Sequence, residues 1–154
     1  MPPVDIRSYL KDQGVPFEVT AHPLAFTAQE VAQAVHVSGY RLAKVVVLKV
    51  DGAFVMAVLP GAMRVDLARF KQVAGARRVD LASESEFERL FPGCERGAMP
   101  PFGNLYDVPV YVDQSLAGRD RIVFNAGNHI ETIRVAYSDY ERLVKPRLGS
   151  FSQH

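Results

Sequence analysis

The residues from Val45 to Val50, Val-Val-Val-Leu-Lys-Val, form a nearly continuous β-branched run. Such a run marks a strand buried on both faces, because successive side chains point to opposite sides of a sheet. Asp51-Gly52 follows at once. That pair favours the two-residue hairpin turn in which both residues take positive φ. Ala53 to Leu59 then returns as the partner strand, and Pro60-Gly61 closes it.

The remaining elements follow from shorter signals. Val4, Ile6, Tyr9 and Leu10 share one face of a short helix that Gly14 can stop. Pro16 to His22 reads as a strand with Phe17 and Val19 on one face. Thr27-Ala-Gln-Glu30 is a capping box opening a helix whose Val31, Ala34 and Val35 face inward, with Ser38-Gly39 as its stop. Asp66 can cap a helix carrying Leu67, Phe70 and Val73, and Gly75 can end it. Arg77 to Leu81 predicts a short strand. Ser83-Glu-Ser-Glu86 is a second capping box, with Phe87, Leu90 and Phe91 as the buried face and Pro92-Gly93 as the break. Val108 to Val112, Arg121 to Asn125 and Ile130 to Val135 predict three further strands. A last capping box, Ser138-Asp-Tyr-Glu141, opens a helix that Pro146 terminates.

The pattern predicts a single α+β domain over residues 1–154. Its expected architecture is a twisted, barrel-like mixed sheet of about seven strands surrounded by short helices. The hairpin and short spacings favour mostly antiparallel or mixed pairing over a doubly wound parallel sheet.

Two stretches stand out as chemistry. In Gly97-Ala-Met-Pro-Pro-Phe-Gly103, two glycines bracket two prolines. Proline locks φ and lacks an N–H, while glycine lets a ligand approach the backbone. The loop can point backbone N–H groups at a carbonyl or phosphate oxygen, or it can be a rigid helix-to-strand connection. Lys44 opens the β-branched run and by alternation shares a face with Val46, Leu48 and Val50, whereas Lys49 falls on the other face. A lysine on an apolar face needs an anion or a wet cavity for its ammonium, unless it snorkels off the strand end.

Other chemistries lack their residues. His22, His36, His129 and His154 stand apart from one another and from the single Cys94, so no metal-ligand spacing exists. His129, beside a glycine turn, can line a pocket or sit on the surface. Hydrolase elbows and Walker or dinucleotide glycine patterns are absent. Cys94 has only its nearness to the glycine loop to suggest a nucleophile. Arg64, Arg69, Lys71, Arg77 and Arg78 can form a patch or be solvated charge on helix and strand faces. A net charge of +1 argues against a nucleic-acid-coating protein but leaves room for a small basic patch gripping one RNA end. One cysteine, no long apolar run and no leader pattern predict a cytoplasmic protein.

Taken together, the stretches resemble the YbaK family, aminoacyl-tRNA deacylases related to the editing domain inserted in bacterial prolyl-tRNA synthetases. The resemblance runs through His22-Pro-Leu-Ala-Phe-Thr27, Arg41-Leu-Ala-Lys44, Gly97-x-x-x-Pro101-Phe102-Gly103, Val108-Pro-Val-Tyr-Val-Asp113, Phe124-Asn-Ala-Gly127 and Ser138-Asp-Tyr-Glu. It implies a mixed α/β fold and hydrolysis of a wrong amino acid from tRNA, often the tRNA for proline. The family's lysine falls on Lys44, its substrate-cradling loop on Gly97, Pro101, Phe102 and Gly103, and its later glycine turn on Gly127. Phe26, Thr27 and His129 complete the expected substrate-binding set, with Lys44 and Gly103 as the catalytic pair.

The ester to be cleaved is already activated, so positioning and stabilisation of the carbonyl oxygen suffice without a strong nucleophile. N–H groups around Gly103 would form the oxyanion hole, and Lys44 would hold the terminal phosphate or the carbonyl oxygen. Water would attack, activated by the ribose hydroxyl of the substrate. No metal or other cofactor is implied. The expected partners are the aminoacyl-tRNA acceptor end and a cognate synthetase, with neither membrane nor DNA. The absence of synthetase catalytic and anticodon-reading segments predicts a free-standing protein acting in trans. Two other readings stay open: a non-catalytic module that binds an aminoacyl end or a protein, and a hydrolase of a small acylated molecule.

Overall fold

A computed structural model describes residues 5–95 and 97–154, so Val4 lies outside the described residues. The first half carries strands β1 (Glu18–Ala21), β2 (Ala43–Val50), β3 (Ala53–Pro60), β4 (Arg64–Val65) and β5 (Val79–Leu81). The second half carries β6 (Val110–Asp113), β7 (Arg121–Asn125), β8 (Glu131–Ala136), β9 (Arg147–Gly149) and β10 (Ser152–Gln153). Between them lie helices α1 (Ile6–Asp12), α2 (Ala28–Ala34), α3 (Leu67–Ala74), α4 (Glu84–Phe87), α5 (Gln114–Ala117) and α6 (Tyr137–Val144).

The expected hairpin forms in full register, from Ala43 opposite Pro60 to Val50 opposite Ala53. Its turn residues Asp51 and Gly52 take φ of 50° and 87°, as the mirror-image turn requires. The Asp51 carboxylate also accepts the backbone N–H groups of Arg77 (3.0 Å) and Arg78 (2.8 Å), which seats β5 against β2.

The main sheet has the order β5-β2-β3-β6-β9, antiparallel at β5, β2 and β3 and parallel where β3 meets β6 and β6 meets β9. A second, antiparallel sheet has the order β1-β8-β7, and β10 pairs with β4. The fold is therefore mixed α+β, as expected, but the sheet does not close into a barrel. Closure requires edge strands to pair continuously, and β5 and β9 are only three residues long. One parallel bridge, Leu42 to Val123, joins β7 to the chain entering β2.

Strand β2 is covered on both faces. Ala43 and Val47 enter a large core with Met56, Phe102, Val112, Phe124 and Tyr140, while Leu48 enters a second core with Leu59, Phe70, Tyr111 and Phe151. By contrast β1 is an exposed edge strand, and Val19 remains 41% accessible.

Most expected helix caps form. Asp66 accepts the Arg69 N–H at 3.1 Å, and Gly75 ends α3 in the left-handed region. Ser83 and Glu86 make the reciprocal capping box of α4. Two boundaries differ. Helix α2 ends at Ala34 with Val35 as its cap, ahead of Ser38-Gly39, because His36 turns the backbone left-handed at φ 57°. Ser138 does not cap α6, which begins one residue earlier at Tyr137 without a side-chain cap. The Asp120 carbonyl accepts the Tyr137 N–H at 2.9 Å, so the exposed donor is already satisfied.

The chain after α6 returns under one buried carboxylate. Asp113 Oδ1 accepts the N–H groups of Phe151 (2.9 Å) and Ser152 (3.0 Å), while Oδ2 accepts the hydroxyls of Ser152 and Ser115. Burial alone would raise this carboxyl, but the hydrogen bonds outweigh it and hold it below the usual aspartate range. A lowered folded-state value stabilises the fold above the unfolded aspartate value of about 3.9, and that contribution is lost as pH falls through the folded value. Asp113→Ala is expected to cost about 3 kcal/mol or more, since the backbone donors of Ser115, Phe151 and Ser152 lose a charged acceptor. Thermal unfolding should show the gap between wild type and variant narrowing below pH 4, the acid side of about 3.9.

Candidate functional site

The Gly97–Gly103 loop is held from beneath. Phe102 is wholly buried, with its ring 5.2 Å from Tyr140 and 5.3 Å from Phe124. The buried Tyr140 hydroxyl donates to the Pro101 carbonyl at 2.7 Å, tying the loop to α6. Phe102 and the Pro101 carbonyl thus anchor the loop from the core side.

Gly103 is buried as well, and its carbonyl accepts the N–H groups of Tyr106 and Val108 at 2.9 Å each. A β-carbon there would lie 2.2 Å from the Val108 carbonyl oxygen and 2.6 Å from Val110 Cγ2. The absence of a side chain at Gly103 is therefore demanded by packing.

The upper end of the loop faces the residues expected to line a pocket. Gly97 and Gly127 both have positive φ, at 81° and 95°. Glu95 donates its N–H to the Gly127 carbonyl at 2.8 Å, and Gly127 donates its own to the Ala98 carbonyl at 2.9 Å. Those two bonds join the glycine loop to the turn after β7. The Glu95 carboxylate in turn accepts the His129 N–H at 3.1 Å. His129 is buried and carries the Phe26 ring on its outer side, with centroids 4.8 Å apart and Phe26 itself 61% exposed. A β-carbon on Gly97 would touch His129 Cε1 at 3.9 Å. Gly97, Gly127, His129 and Phe26 are thus brought together, with Glu95 as a partner that sequence reasoning missed.

Thr27, next to Phe26, leads into a separate open cavity of about 380 Å³. Lys44, Gly61, Ala62, Met63, Arg64 and His154 also line it. Lys44 is half-buried and donates to the Gly61 carbonyl at 3.3 Å. Burial and the nearby Arg64 charge both push its ammonium below the usual lysine range. Lys49, on the opposite face as expected, pairs with Glu86 at 2.6 Å. The Leu42–Val123 bridge sets β2 and β7 side by side, with Lys44 and Asn125 each two residues further on. Asn125 carries a buried Oδ1 without a hydrogen-bond partner. Its place in Phe124-Asn-Ala-Gly127, one step before the glycine turn, was the available signal.

Cys94 lies on the other side of Gly127, where it borders two cavities of about 240 and 200 Å³. Its thiol is 3.3 Å from the Tyr106 hydroxyl, and burial pushes it above the ordinary cysteine range. Such a thiol is not activated. Among the described residues no group of three or more His, Cys, Asp or Glu side chains is placed to hold a metal.

The two tied glycine turns and the neighbouring cavity with its half-buried Lys44 together make up the candidate site. The chain belongs to the aminoacyl-tRNA editing domain family, whose model matches residues 22–143. It is 34% identical over 100 residues to proline–tRNA ligase of Bacillus cytotoxicus, covering 65% of this chain and 18% of the ligase. It is 28% identical over 92 residues to the prolyl-tRNA editing protein ProX of Acetoanaerobium sticklandii, covering 57% of this chain and 56% of that protein. A solved structure described as a candidate trans-editing enzyme for prolyl-tRNA synthetase superposes with a TM-score of 0.84 at 22% identity, covering 97% of this chain and 96% of that one.

Gly103→Ala should lower thermal stability sharply, by about 3 kcal/mol or more, because the blocking atom is backbone and cannot turn aside. Turnover per folded molecule, measured below the melting transition, should fall far less than the folded fraction does.

Proposed function

We propose that this chain is an aminoacyl-tRNA deacylase that acts in trans, cleaving the ester between a wrongly attached amino acid and the terminal ribose of tRNA. The observation that carries the reading is the half-buried Lys44 in a cationic cavity of an aminoacyl-tRNA editing domain, next to the turn that holds Phe26 on His129. The similarity to ProX and to proline–tRNA ligase favours tRNA for proline as the carrier, and the cytoplasm as the setting.

In this reading Lys44 takes the phosphate or carbonyl oxygen next to the scissile bond. Desolvation and the Arg64 charge disfavour its ammonium in the empty cavity, and an entering anion relieves both. The acyl carbonyl lies against the glycine turns at Gly97 and Gly127, where a backbone donor can stabilise the developing oxyanion. Phe26 and His129 cover this region from outside, and Asn125 offers a buried acceptor toward the ligand. Water attacks the carbonyl, and the ribose hydroxyl serves as the leaving group. No side-chain nucleophile is required because the ester is already activated. A pure binding module would use the same contacts without turnover.

Single-turnover deacylation of tRNAs charged with Ala, Ser, Thr, Cys and Pro tests the reading directly. Lys44→Ala should slow hydrolysis of the active substrate by about two orders of magnitude or more, the size of losing one oxyanion-stabilising group. Its melting temperature should stay close to wild type, since a half-buried charge is removed rather than a core side chain. Lys49→Ala should leave the rate unchanged. Retention of full activity by Lys44→Ala would remove the assigned site.

Cys94→Ser should also retain its rate, and a thiol-alkylating reagent should abolish no chemistry. Loss of hydrolysis in a folded Cys94→Ser would instead make Cys94 the nucleophile.

A further inference from the structure

The Lys44 cavity holds more positive charge than one phosphate near the ester requires. Arg64 lines it beside Lys44, and no Asp or Glu side chain is among its lining residues. Glu30, at the start of α2, turns instead to the Thr27 hydroxyl at 2.9 Å. Arg64 is exposed, yet its guanidinium is not loose: Nη2 donates to the His154 carbonyl at 3.0 Å. That bond is available because β10 pairs with β4, setting Gln153 opposite Arg64.

An aromatic rim adjoins these cations. The Tyr40 ring stands 6.3 Å from the His154 ring and is 41% exposed. The loop carrying it is docked on the cavity wall, where Ala62 donates its N–H to the Gly39 carbonyl at 3.1 Å. Fixed cations beside an exposed aromatic face form the combination that single-stranded nucleic acids take, the backbone on the charge and a base on the ring.

We infer that Arg64 and Tyr40 form a subsite for the unpaired nucleotide preceding the acylated terminal nucleoside, Arg64 holding its phosphodiester and Tyr40 stacking its base. The inference rests on the proposed action on tRNA, and it assigns the second cation and the exposed ring to RNA rather than to the scissile ester. Arg64 is thereby a binding residue that reaches the chemistry only through the charge it presents to Lys44. The arrangement also shows how a chain with a net charge of only +1 can grip RNA: Lys44 and Arg64, from different strands, line one cavity.

The test uses the full chain and a fluorescent single-stranded RNA tetranucleotide ending in CCA, titrated at several salt concentrations. Arg64→Ala should weaken binding about tenfold at low salt and reduce the slope of log affinity against log salt by about 0.7, the loss of one phosphate contact on a single strand. Arg64→Lys should restore the slope. Tyr40→Ala should weaken binding about fivefold or more at an unchanged slope, as loss of one stacked base does. Arg78→Ala, at a site 81% exposed and paired with Asp80, should change neither. With aminoacyl-tRNA, Arg64→Ala and Tyr40→Ala should raise KM and leave kcat near wild type. With aminoacyl-adenosine, which lacks the preceding nucleotide, Tyr40→Ala and the charge-keeping Arg64→Lys should match wild type. An unchanged salt slope in Arg64→Ala, or an equal loss on aminoacyl-adenosine, overturns the subsite. Failure of the wild type to deacylate any charged tRNA would count against the proposed function alone, because the tetranucleotide titration still decides the subsite.

Discussion

Strand β2 carries apolar side chains on both faces, and each face has to find its own cover. One face recruits α1, α6, the second sheet and the proline loop, and the other recruits α3 and the returning C-terminal segment. The site lies where this double coverage ends. Lys44 is the first polar residue of the strand, half-covered and close to the junction with β7. Full burial would make an ammonium too costly there, and full exposure would leave its charge screened by water. Partial cover keeps it responsive to an arriving anion.

The division of labour in the glycine loop follows from the same packing. Its lower end belongs to the core through Phe102, Gly103 and the Pro101 carbonyl. Its upper end, at Gly97, meets the Gly127 turn and His129. A short loop can serve both purposes because prolines at positions 100 and 101 need no partner for an N–H. The aromatic cluster of Phe102, Phe124 and Tyr140 then fixes its height above the sheet.

What the sequence made legible was local. Asp51-Gly52, the Asp66 cap and the Ser83–Glu86 box each rest on neighbours within a few residues, and each forms. The alternation of Lys44 and Lys49 also held, since period two is set by the strand itself. Contacts made at long range were hidden. Strands β4 and β10 are two residues each, too short for any period, yet their pairing brings Arg64 to His154 and so defines the cationic cavity. The burial of Phe102 and the tight seat of Gly103 were hidden too, because a motif does not say which side of a loop meets the core. Ser138 resembled a cap because the competing acceptor, the Asp120 carbonyl, lies on a different turn. The expected barrel failed for a similar reason: the shortness of the edge strands is a property of their surroundings.

The two backbone bonds between Glu95, Gly127 and Ala98 act as rungs between two loops that would otherwise be independent. A ladder of this kind cannot be spread at one rung without straining the other, and His129 adds a third tie through the Glu95 carboxylate. The spacing of the two loops is therefore set by three ties at once, so a displacement at one is resisted by the other two.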